Sequence, residues 1–353
     1  MMNSESVREL AETVQRNCHI SDARHGADFS LCVYLMKMRE YYRWEKRLPY
    51  GTALRNDQVG DWLAARERLW EELEEAEFEP LEICGMHFDP FDTDGINACL
   101  EAEGLVYSGG LGNQVKPHFF LGDLERRAST GECSVFVVAS EYARDLAAPP
   151  AMTRGDSIFV RRESLRRMLW EKLESWRWSR PNNALGRAFA CYDFEGSLDT
   201  SLEAMTEREI EAVLLHETGE HEVGVCLGDD WNRLLMDLAH TPAELMARAV
   251  RDHLADCIST LPALAEEGDE PPLHFYIGNL TNMRKEIFPG LARAYDEWLQ
   301  SSDTEPLSAI AELGAAHWER LAREMIAIHR ESAWESTQAA AQRIHSLVTG
   351  SYL

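Results

Sequence analysis

The chain of 353 residues lacks the patterns that mark several common classes of protein. Its eight cysteines are scattered without a CxxC pair, which fits neither a zinc ribbon nor a thioredoxin-like dithiol. No apolar stretch reaches about 18 residues, the minimum for a membrane span. The N-terminus MMNSESVRELAETVQRN has no apolar core of a secretory signal. We therefore expect a soluble protein of the reducing cytoplasm, without membrane contact.

Basic residues are scarce relative to acidic ones. The chain has 35 Lys and Arg against 61 Asp and Glu, a formal net charge of −26. Such a surplus of negative charge repels phosphate backbones over most of the surface, so no nucleic-acid partner is expected. Hydrophobic residues make up 45% of the chain, which is typical of a folded globular protein.

The pattern of apolar residues changes twice along the chain. Residues 1–79 have helical periodicity, residues 80–160 hold short apolar runs such as CSVFVVA (133–139) bounded by turn residues, and residues 161–353 are helical again. These regions predict a mainly α-helical α+β fold, with helical N- and C-terminal parts and a small, mostly antiparallel sheet between them. The three regions are also compatible with one compact unit. C-terminal helices are predicted near 164–178, 206–224, 229–239, 242–261, 271–285, 288–300, 306–331 and 333–348.

One histidine–carboxylate cluster stands out in the predicted helix 206–224. His216, Glu217, Glu220 and His221 fall within two helical turns and project from one side. Imidazole and carboxylate groups at this spacing can share a divalent ion and suit zinc, iron or manganese. Because the apolar stripe of the helix borders this side, we expect the cluster to face the interior, where a metal would offset the cost of burying polar groups.

The cluster allows two metal-binding arrangements, and the sequence does not choose between them. In an HExxE arrangement, His216 and Glu220 are ligands and Glu217 is the catalytic base that deprotonates a metal-bound water. In a di-metal arrangement, Glu217 and His221 are ligands together with groups from a second helix. A salt-bridged exposed helix face explains the same residues without a metal. Gly219 weakens the helix by about 1 kcal/mol but admits close approach of another backbone.

A second helix carries further candidate ligands. In RAVRDHLADC, Asp252, His253 and Asp256 lie on one side, and the intervening helix 229–239 is short enough for 206–224 and 242–261 to pack together. His25 and Asp28 of HGAD, and His274 of LHFYIGN, are candidates from segments of unknown placement.

Three other patterns have a structural and a functional interpretation. Residues 160–180 carry seven Arg or Lys against three Glu, interleaved with Trp170, Trp176 and Trp178, and we favour docking within the fold over binding of an anionic ligand. DPFDTDGINACLE is favoured as an Asp-rich turn capping a helix, because a calcium loop would place Pro90 at its first ligand position. Gly109–Gly112 is favoured as a hairpin turn, because a phosphate-binding GxGxxG would need glycine where Val115 stands.

Several segments resemble a family of uncharacterised bacterial proteins. They include RHGADFSLCVYLMKMREYYRWE (24–45), VRRESLRRMLWEKLESWRW (160–178), LHETGEHEVG (215–224) and LHFYIGNL (273–280). The resemblance implies a single full-length unit and assigns no activity, cofactor or site residue.

The sequence therefore predicts a soluble metal-dependent enzyme, a hydrolase or an oxidoreductase according to the metal. His216, Glu217, Glu220 and His221 hold one or two divalent ions (Zn, Fe or Mn), and Asp252, His253 or Asp256 completes the ligand shell of the metal. The expected partner of such an enzyme is a small-molecule substrate. The alternative is a non-catalytic helical interaction protein that holds a protein partner through its acidic surface or its basic Trp-rich helix. A third interpretation is phosphate or nucleotide binding at that helix. A homo-oligomer is compatible with each.

Overall fold

The computed structural model describes residues 2–112, 116–131, 133–332 and 337–353 of the chain. These residues form two compact units, 1–171 and 172–353, with the boundary inside a helix. The predicted mainly helical α+β fold is confirmed. Among the described residues, no helix combines the length and the apolar character that a membrane span needs. The three regions predicted from the sequence, 1–79, 80–160 and 161–353, were defined by their apolar pattern and not by contacts. They stay a prediction.

The first unit combines helices with a five-stranded sheet and a small hairpin. Its helices are α1 (Ser4–His25), α2 (Leu31–Glu45), α3 (Asn56–Leu73), α4 (Thr93–Leu100) and the first part of α5 (Arg162–Ser179). Strands β1 (Leu81–Ile83) and β2 (Met86–Phe88) pair with each other. The larger sheet has the order β3-β4-β5-β7-β6 and contains β3 (Leu105–Leu111), β4 (Pro117–Thr130), β5 (Cys133–Arg144), β6 (Ala151–Arg154) and β7 (Ser157–Arg161). Its pairs are antiparallel except β5 with β7, as the mostly antiparallel prediction requires.

Alternation of side chains along β4 gives the larger sheet two buried faces. Phe119 packs with Val14 and Cys18 of α1, whereas the adjacent Phe120 belongs to a separate cluster with Phe159. Consecutive residues of a strand point to opposite faces, so one strand contributes to both cores.

Two of the weaker sequence patterns have structural roles in this unit. Asp92 caps α4 by accepting a hydrogen bond from the Gly95 amide at 3.0 Å, which confirms the capping interpretation. The strands β3 and β4 pair antiparallel, as expected for a hairpin, but Gly109 and Gly110 lie within β3 rather than in a turn. Gly112 follows β3, and its amide donates to the Lys116 carbonyl at 2.8 Å. Val115 lies outside the described residues.

The second unit is built from helices that follow the end of α5. They are α6 (Ala184–Ala190), α7 (Leu198–Leu227), α8 (Asp229–Asp237), α9 (Pro242–Ala255), α10 (Leu261–Glu267), α11 (Glu270–Asn279), α12 (Asn282–Ile287), α13 (Pro289–Ser301), α14 (Glu305–Glu331) and α15 (Thr337–Thr349). A single π-helical turn, Asp256–Thr260, joins α9 to α10. Pro262 lies in the first turn of α10, where a proline needs no hydrogen-bond donor, and therefore does not end the helical run there. The start of the predicted helix 333–348 lies outside the described residues.

Candidate functional site

The candidate site lies where α7 packs against the end of α9, as the sequence predicts for these two helices. Gly219 in α7 makes this packing close, since a Cβ on Gly219 would come within 2.5 Å of the Ala255 carbonyl oxygen. The next residue, Asp256, begins the π-helical turn. Single π-helical turns within helices occur often at functional sites. The glycine thus holds the face of α7 that carries His216 against the start of this turn.

Asp256 is the centre of a hydrogen-bond network. Its carboxylate has no exposed surface and accepts four hydrogen bonds. Oδ1 accepts from His216 Nδ1 at 2.7 Å and from Thr260 Oγ1 at 3.0 Å. Oδ2 accepts from Tyr276 Oη at 2.9 Å and from the Arg284 guanidinium. Burial alone would raise the pKa of Asp256, but the charges of Arg284 and His216 hold it far below its usual range. Asp256 is therefore an anion at any physiological pH.

His216 connects this network to solvent. Its side chain is 27% exposed, and its Nε2 lies 3.3 Å from Glu220 Oε1. Burial lowers the pKa of an imidazole, but the neighbouring carboxylates of Asp256 and Glu220 raise the pKa of His216 well above 6.5. His216 is thus an imidazolium at neutral pH. Its Nδ1 proton is donated to Asp256, and its Nε2 proton faces Glu220 in the longer and weaker contact of 3.3 Å.

Glu220 and Asp252 share a cation of their own. Arg251 donates to Glu220 Oε1 at 2.7 Å and to Asp252 Oδ1 at 3.3 Å. Burial works to raise the pKa of Glu220, but the Arg251 charge outweighs it and holds that pKa well below its usual range. The pKa of Asp252 is raised, by burial and then by the neighbouring charge of Glu220. Arg251 therefore offsets the carboxylates that the sequence assigned to a metal.

The structure brings together four of the seven predicted ligands, His216, Glu220, Asp252 and Asp256, and adds two cations to them. Arg251 and Arg284 are bonded to the carboxylates that a divalent ion would need. Within residues 2–112, 116–131, 133–332 and 337–353, no three His, Cys, Asp or Glu side chains are arranged to hold a metal ion. The donor set as it stands does not fit a resident ion, because an ion would have to displace a guanidinium. Metal binding stays a prediction.

In the described part of the chain, the other predicted ligands do not bond to the Asp256 carboxylate, although His253 Nδ1 lies 3.3 Å from the Arg284 guanidinium of that network. His253 is buried and stacks on Trp318 at 5.1 Å, and its Nε2 lies 3.0 Å from the Arg284 carbonyl oxygen. Burial and then the Arg284 charge lower the pKa of His253 to about 3, so it is a neutral ring of the core. Glu217 is buried, and its negative charge is one of several that raise the pKa of Arg251 against the effect of burial. His221 is half-buried and lies one turn further along α7. The proposed base role of Glu217 stays a prediction.

The additional histidine candidates have partners elsewhere. His25 Nδ1 lies 3.4 Å from Asp28 Oδ2 in the first unit. His274 is buried in the second unit, and its Nδ1 lies 2.8 Å from Tyr295 Oη. In the described residues these contacts account for both histidines without a ligand.

A cavity of about 130 Å³ opens beside His216 and Asp256. Its walls are partly polar, from His216, Tyr276 and Arg284, and partly apolar, from Val213 and Phe275. An engineered cavity of about 150 Å³ holds benzene, so this space suits a molecule of roughly that size. The cavity gives the network access to a small substrate.

Glu209 adds an unusual group to the wall of this cavity. It is 2% exposed, and its Oε1 has no hydrogen-bond partner among the described residues. Burial and then the neighbouring charge of Asp269 raise the pKa of Glu209 well above its usual value. A buried carboxyl oxygen that lacks a partner is available to a bound ligand.

Sequence reasoning missed the partners that decide the chemistry of this site. Arg251 precedes the candidate ligand Asp252 in RAVRDHLADC, so the sequence could have indicated an ion pair there. Tyr276 and Arg284 lie on α11 and α12, and no spacing in the sequence connects them to Asp256. Glu209 lies almost two turns before His216 in α7, and no sequence pattern marks it as a site residue.

The basic Trp-rich stretch is used inside the first unit over its first half. Arg161 forms a buried pair with Glu141 at 2.9 Å, Arg162 pairs with Glu125 at 2.6 Å, and Arg167 pairs with Glu171 at 2.8 Å. Arg161 and Arg162 thus pair with strand residues of the same unit, whereas Arg167 pairs within its own helix and also donates to the Ala148 carbonyl oxygen at 2.6 Å. Of the three tryptophans, Trp170 is buried, whereas Trp178 is 91% exposed.

Comparison with known proteins places the chain by family and gives no function. Residues 9–161 match the model of the N-terminal domain, and residues 166–350 that of the C-terminal domain, of a family of unknown function (DUF6866). No curated protein and no solved structure matches the chain. These matches confirm the resemblance to an uncharacterised family.

Proposed function

The chain belongs to the DUF6866 family of unknown function, and we propose that its second unit is an enzyme in which His216 transfers a proton to a small substrate. The observation that carries this proposal is the pairing of a buried anion with a partly exposed imidazole at a cavity. Asp256 holds His216 Nδ1 at 2.7 Å, and both residues line the cavity of about 130 Å³. A carboxylate that orients and charges an imidazole is a recurrent device of acid–base catalysis.

The protonation state of His216 supports a role as general acid. An imidazolium gives up its Nε2 proton to a developing negative charge on a substrate oxygen or nitrogen. The 3.3 Å contact from Nε2 to Glu220 is weak enough for a substrate acceptor to replace it. The Arg284 guanidinium on the same cavity wall stabilises negative charge on the reacting group. Acid-assisted hydrolysis is the reaction class that uses these groups.

A metal-dependent version of this enzyme is supported by the convergence of His216, Glu220, Asp252 and Asp256. It requires a zinc, iron or manganese ion to replace Arg251 or Arg284 as the partner of the carboxylates. The acid–base version needs no such rearrangement, and for this reason the geometry supports it better. Measurement of metal in the purified protein separates the two, since a stoichiometric ion lost in His216→Ala and Glu220→Ala favours the metal-dependent version.

The non-catalytic alternative retains only part of its support. Arg167 is buried and bonded to Glu171 and to the Ala148 carbonyl oxygen, so charge reversal there is expected to disturb folding rather than to remove a binding surface. The acidic surface, with a net charge of −26 over the chain, is the remaining basis for a protein partner.

The enzyme proposal is tested by turnover of simple substrates. The full-length protein is assayed against chromogenic esters, amides and phosphoesters with a chelator present, and then with added Zn, Mn or Fe(II). His216→Gln is expected to lower kcat/KM by at least about 100-fold, because general acid catalysis contributes about 10²–10⁴-fold. The control His345→Gln removes an exposed imidazole from α15 and should leave the rate unchanged. Turnover that His216→Gln does not reduce would overturn the proposal.

A further inference from the structure

A second cavity lies at the C-terminal end of the Trp-rich helix. It has a volume of about 240 Å³ and is formed by the last turns of α5, by α6 and by the segment after α6. Its lining includes four aromatic side chains, Trp176, Phe189, Tyr192 and Phe194. It also includes two arginines and two acids: Arg177, Arg180, Asp193 and Glu195. All of them belong to the second unit. None of them lines the cavity beside Asp256.

The aromatic wall is held in place by contacts within the unit. Phe189 lies 5.7 Å from Trp176 and 5.9 Å from Phe194, measured between ring centroids. Trp176 Nε1 donates to the Pro181 carbonyl oxygen at 3.0 Å. A Cβ on Gly186 would lie 2.9 Å from Trp176 Nε1, so glycine is needed for this approach. The rings are therefore fixed before any ligand binds, which lowers the entropic cost of binding.

The polar groups of the cavity favour an anion. Arg177 donates only a long hydrogen bond of 3.4 Å to the Phe194 carbonyl oxygen, and among the described side chains no carboxylate pairs with it. Arg180 and Glu195 lie 3.9 Å apart and are both exposed, a pair of little energetic value. The carboxylate of Asp193 accepts from the Gly196 amide at 2.9 Å and so caps the backbone.

Tyr192 adds a hydrogen-bond donor to the two arginines. Its hydroxyl is buried and has no partner among the described residues. Burial and then the nearby Glu209 raise the pKa of Tyr192, so the hydroxyl remains protonated. A buried donor without an acceptor costs free energy that an anionic ligand recovers.

We propose that this cavity binds a small aromatic anion, with its ring against the aromatic side chains of the lining and its charged group at Arg177, Arg180 and the Tyr192 hydroxyl. The cavity of about 240 Å³ exceeds the roughly 150 Å³ that holds benzene, and so accommodates a bicyclic ring or a ring with a short side chain. Arginine over aromatic surface suits such ligands because it offers hydrogen bonds and a planar face together.

Calorimetric titration of the full-length protein tests this site with three probes of one ring system. 2-Naphthoate and 1-naphthyl phosphate carry the charge, and 2-naphthamide is neutral. Both anions are expected to bind, and the affinity of the amide should be at least about tenfold lower. Added salt should lower the affinity of the anions but not that of the amide. The stronger of the two anions identifies the natural ligand as a carboxylate or a phosphate. Absence of anion binding, or equal affinity for the amide, would overturn the proposal.

Variants locate the binding in this cavity. Arg177→Gln and, separately, Arg180→Gln are each expected to lower the affinity for 2-naphthoate by about tenfold. This is the effect of losing one charge-assisted hydrogen bond of about 1.4 kcal/mol. Arg320→Gln, which removes an exposed arginine of α14, is the matched control. Because Arg180 is exposed, its variant keeps the test valid if Arg177→Gln fails to fold. Unchanged affinity in folded variants of both arginines would contradict the site.

Discussion

At the scale of single residues, the site depends on the charge that each group carries in its place. Asp256 is buried with no exposed surface, yet it remains ionised because His216, Arg284, Thr260 and Tyr276 all donate to it. His216 in turn remains protonated because two carboxylates flank it. The two residues support each other's charged state, so a change in one alters the other.

The protonation of His216 is a first prediction. Nitrogen-detected NMR of the imidazole is expected to show both ring nitrogens protonated at neutral pH, because Asp256 and Glu220 raise its pKa well above 6.5. Since the folded pKa exceeds the unfolded one, the stabilisation is fully present below about pH 6.5 and is lost as the pH rises through the folded value. Asp256→Asn should lower the pKa of His216. A neutral ring at pH 7 would contradict this assignment.

The cost of removing the Asp256 charge is a second prediction. Asp256→Asn leaves the Arg284 guanidinium buried without its anion, and is expected to lower the free energy of unfolding by about 3–5 kcal/mol. Asp252→Asn is the matched control, with an expected loss below about 1 kcal/mol, because the Asp252 side chain is 24% exposed and its pKa is already raised. Urea denaturation measures both. Equal losses would show that Asp256 is not the centre of the network.

At the scale of helices and turns, the close approach of α7 to α9 depends on one glycine. Two glycines of α7, Gly219 and Gly224, should respond in opposite ways to substitution by alanine. Gly219→Ala is expected to destabilise the protein by roughly 1–3 kcal/mol, because its Cβ would come within 2.5 Å of the Ala255 carbonyl oxygen. Gly224→Ala should stabilise it by up to about 1 kcal/mol, because nothing lies within 4 Å of that Cβ and alanine favours the helix. Thermal unfolding compares the two. A stabilising Gly219→Ala would refute the close packing.

The helices also show where sequence periodicity reaches its limit. The pairing of α7 with α9 was predictable, because the short helix between them leaves little room for another arrangement. The interruption of α9 at Asp256 by a π-helical turn was not, since the apolar spacing continues through RAVRDHLADC without a break. Asp256, the first residue of that turn, accepts hydrogen bonds from His216 and Tyr276.

At the scale of the whole molecule, the sequence determined the fold class more readily than the site. The turn-bounded apolar runs of residues 80–160 indicated the sheet, because strand alternation is a local property. The partners of Asp256 are 20 and 28 residues away at Tyr276 and Arg284, and depend on packing that no local pattern records. A pattern of acids and histidines alone indicates a metal, whereas the fold also brings Arg251 and Arg284 against these carboxylates.

The net charge leads to a prediction for the whole chain. At −26 the protein should not bind a labelled DNA duplex at physiological salt, because electrostatic attraction supplies most of nonspecific binding. Fluorescence anisotropy measures this directly. Micromolar affinity under these conditions would require a segregated basic surface and would contradict the expectation.

The central claim, that His216 is the general acid of an enzyme, is tested most directly by the pH dependence of kcat/KM for a substrate that the protein turns over. The rate is expected to hold through neutral pH and to fall on the alkaline side as His216 loses its proton, and Asp256→Asn should move that fall to lower pH. His216→Gln should remove the fall together with most of the rate, while His345→Gln retains both. A His216→Gln enzyme with the full rate and the same alkaline fall would contradict the claim.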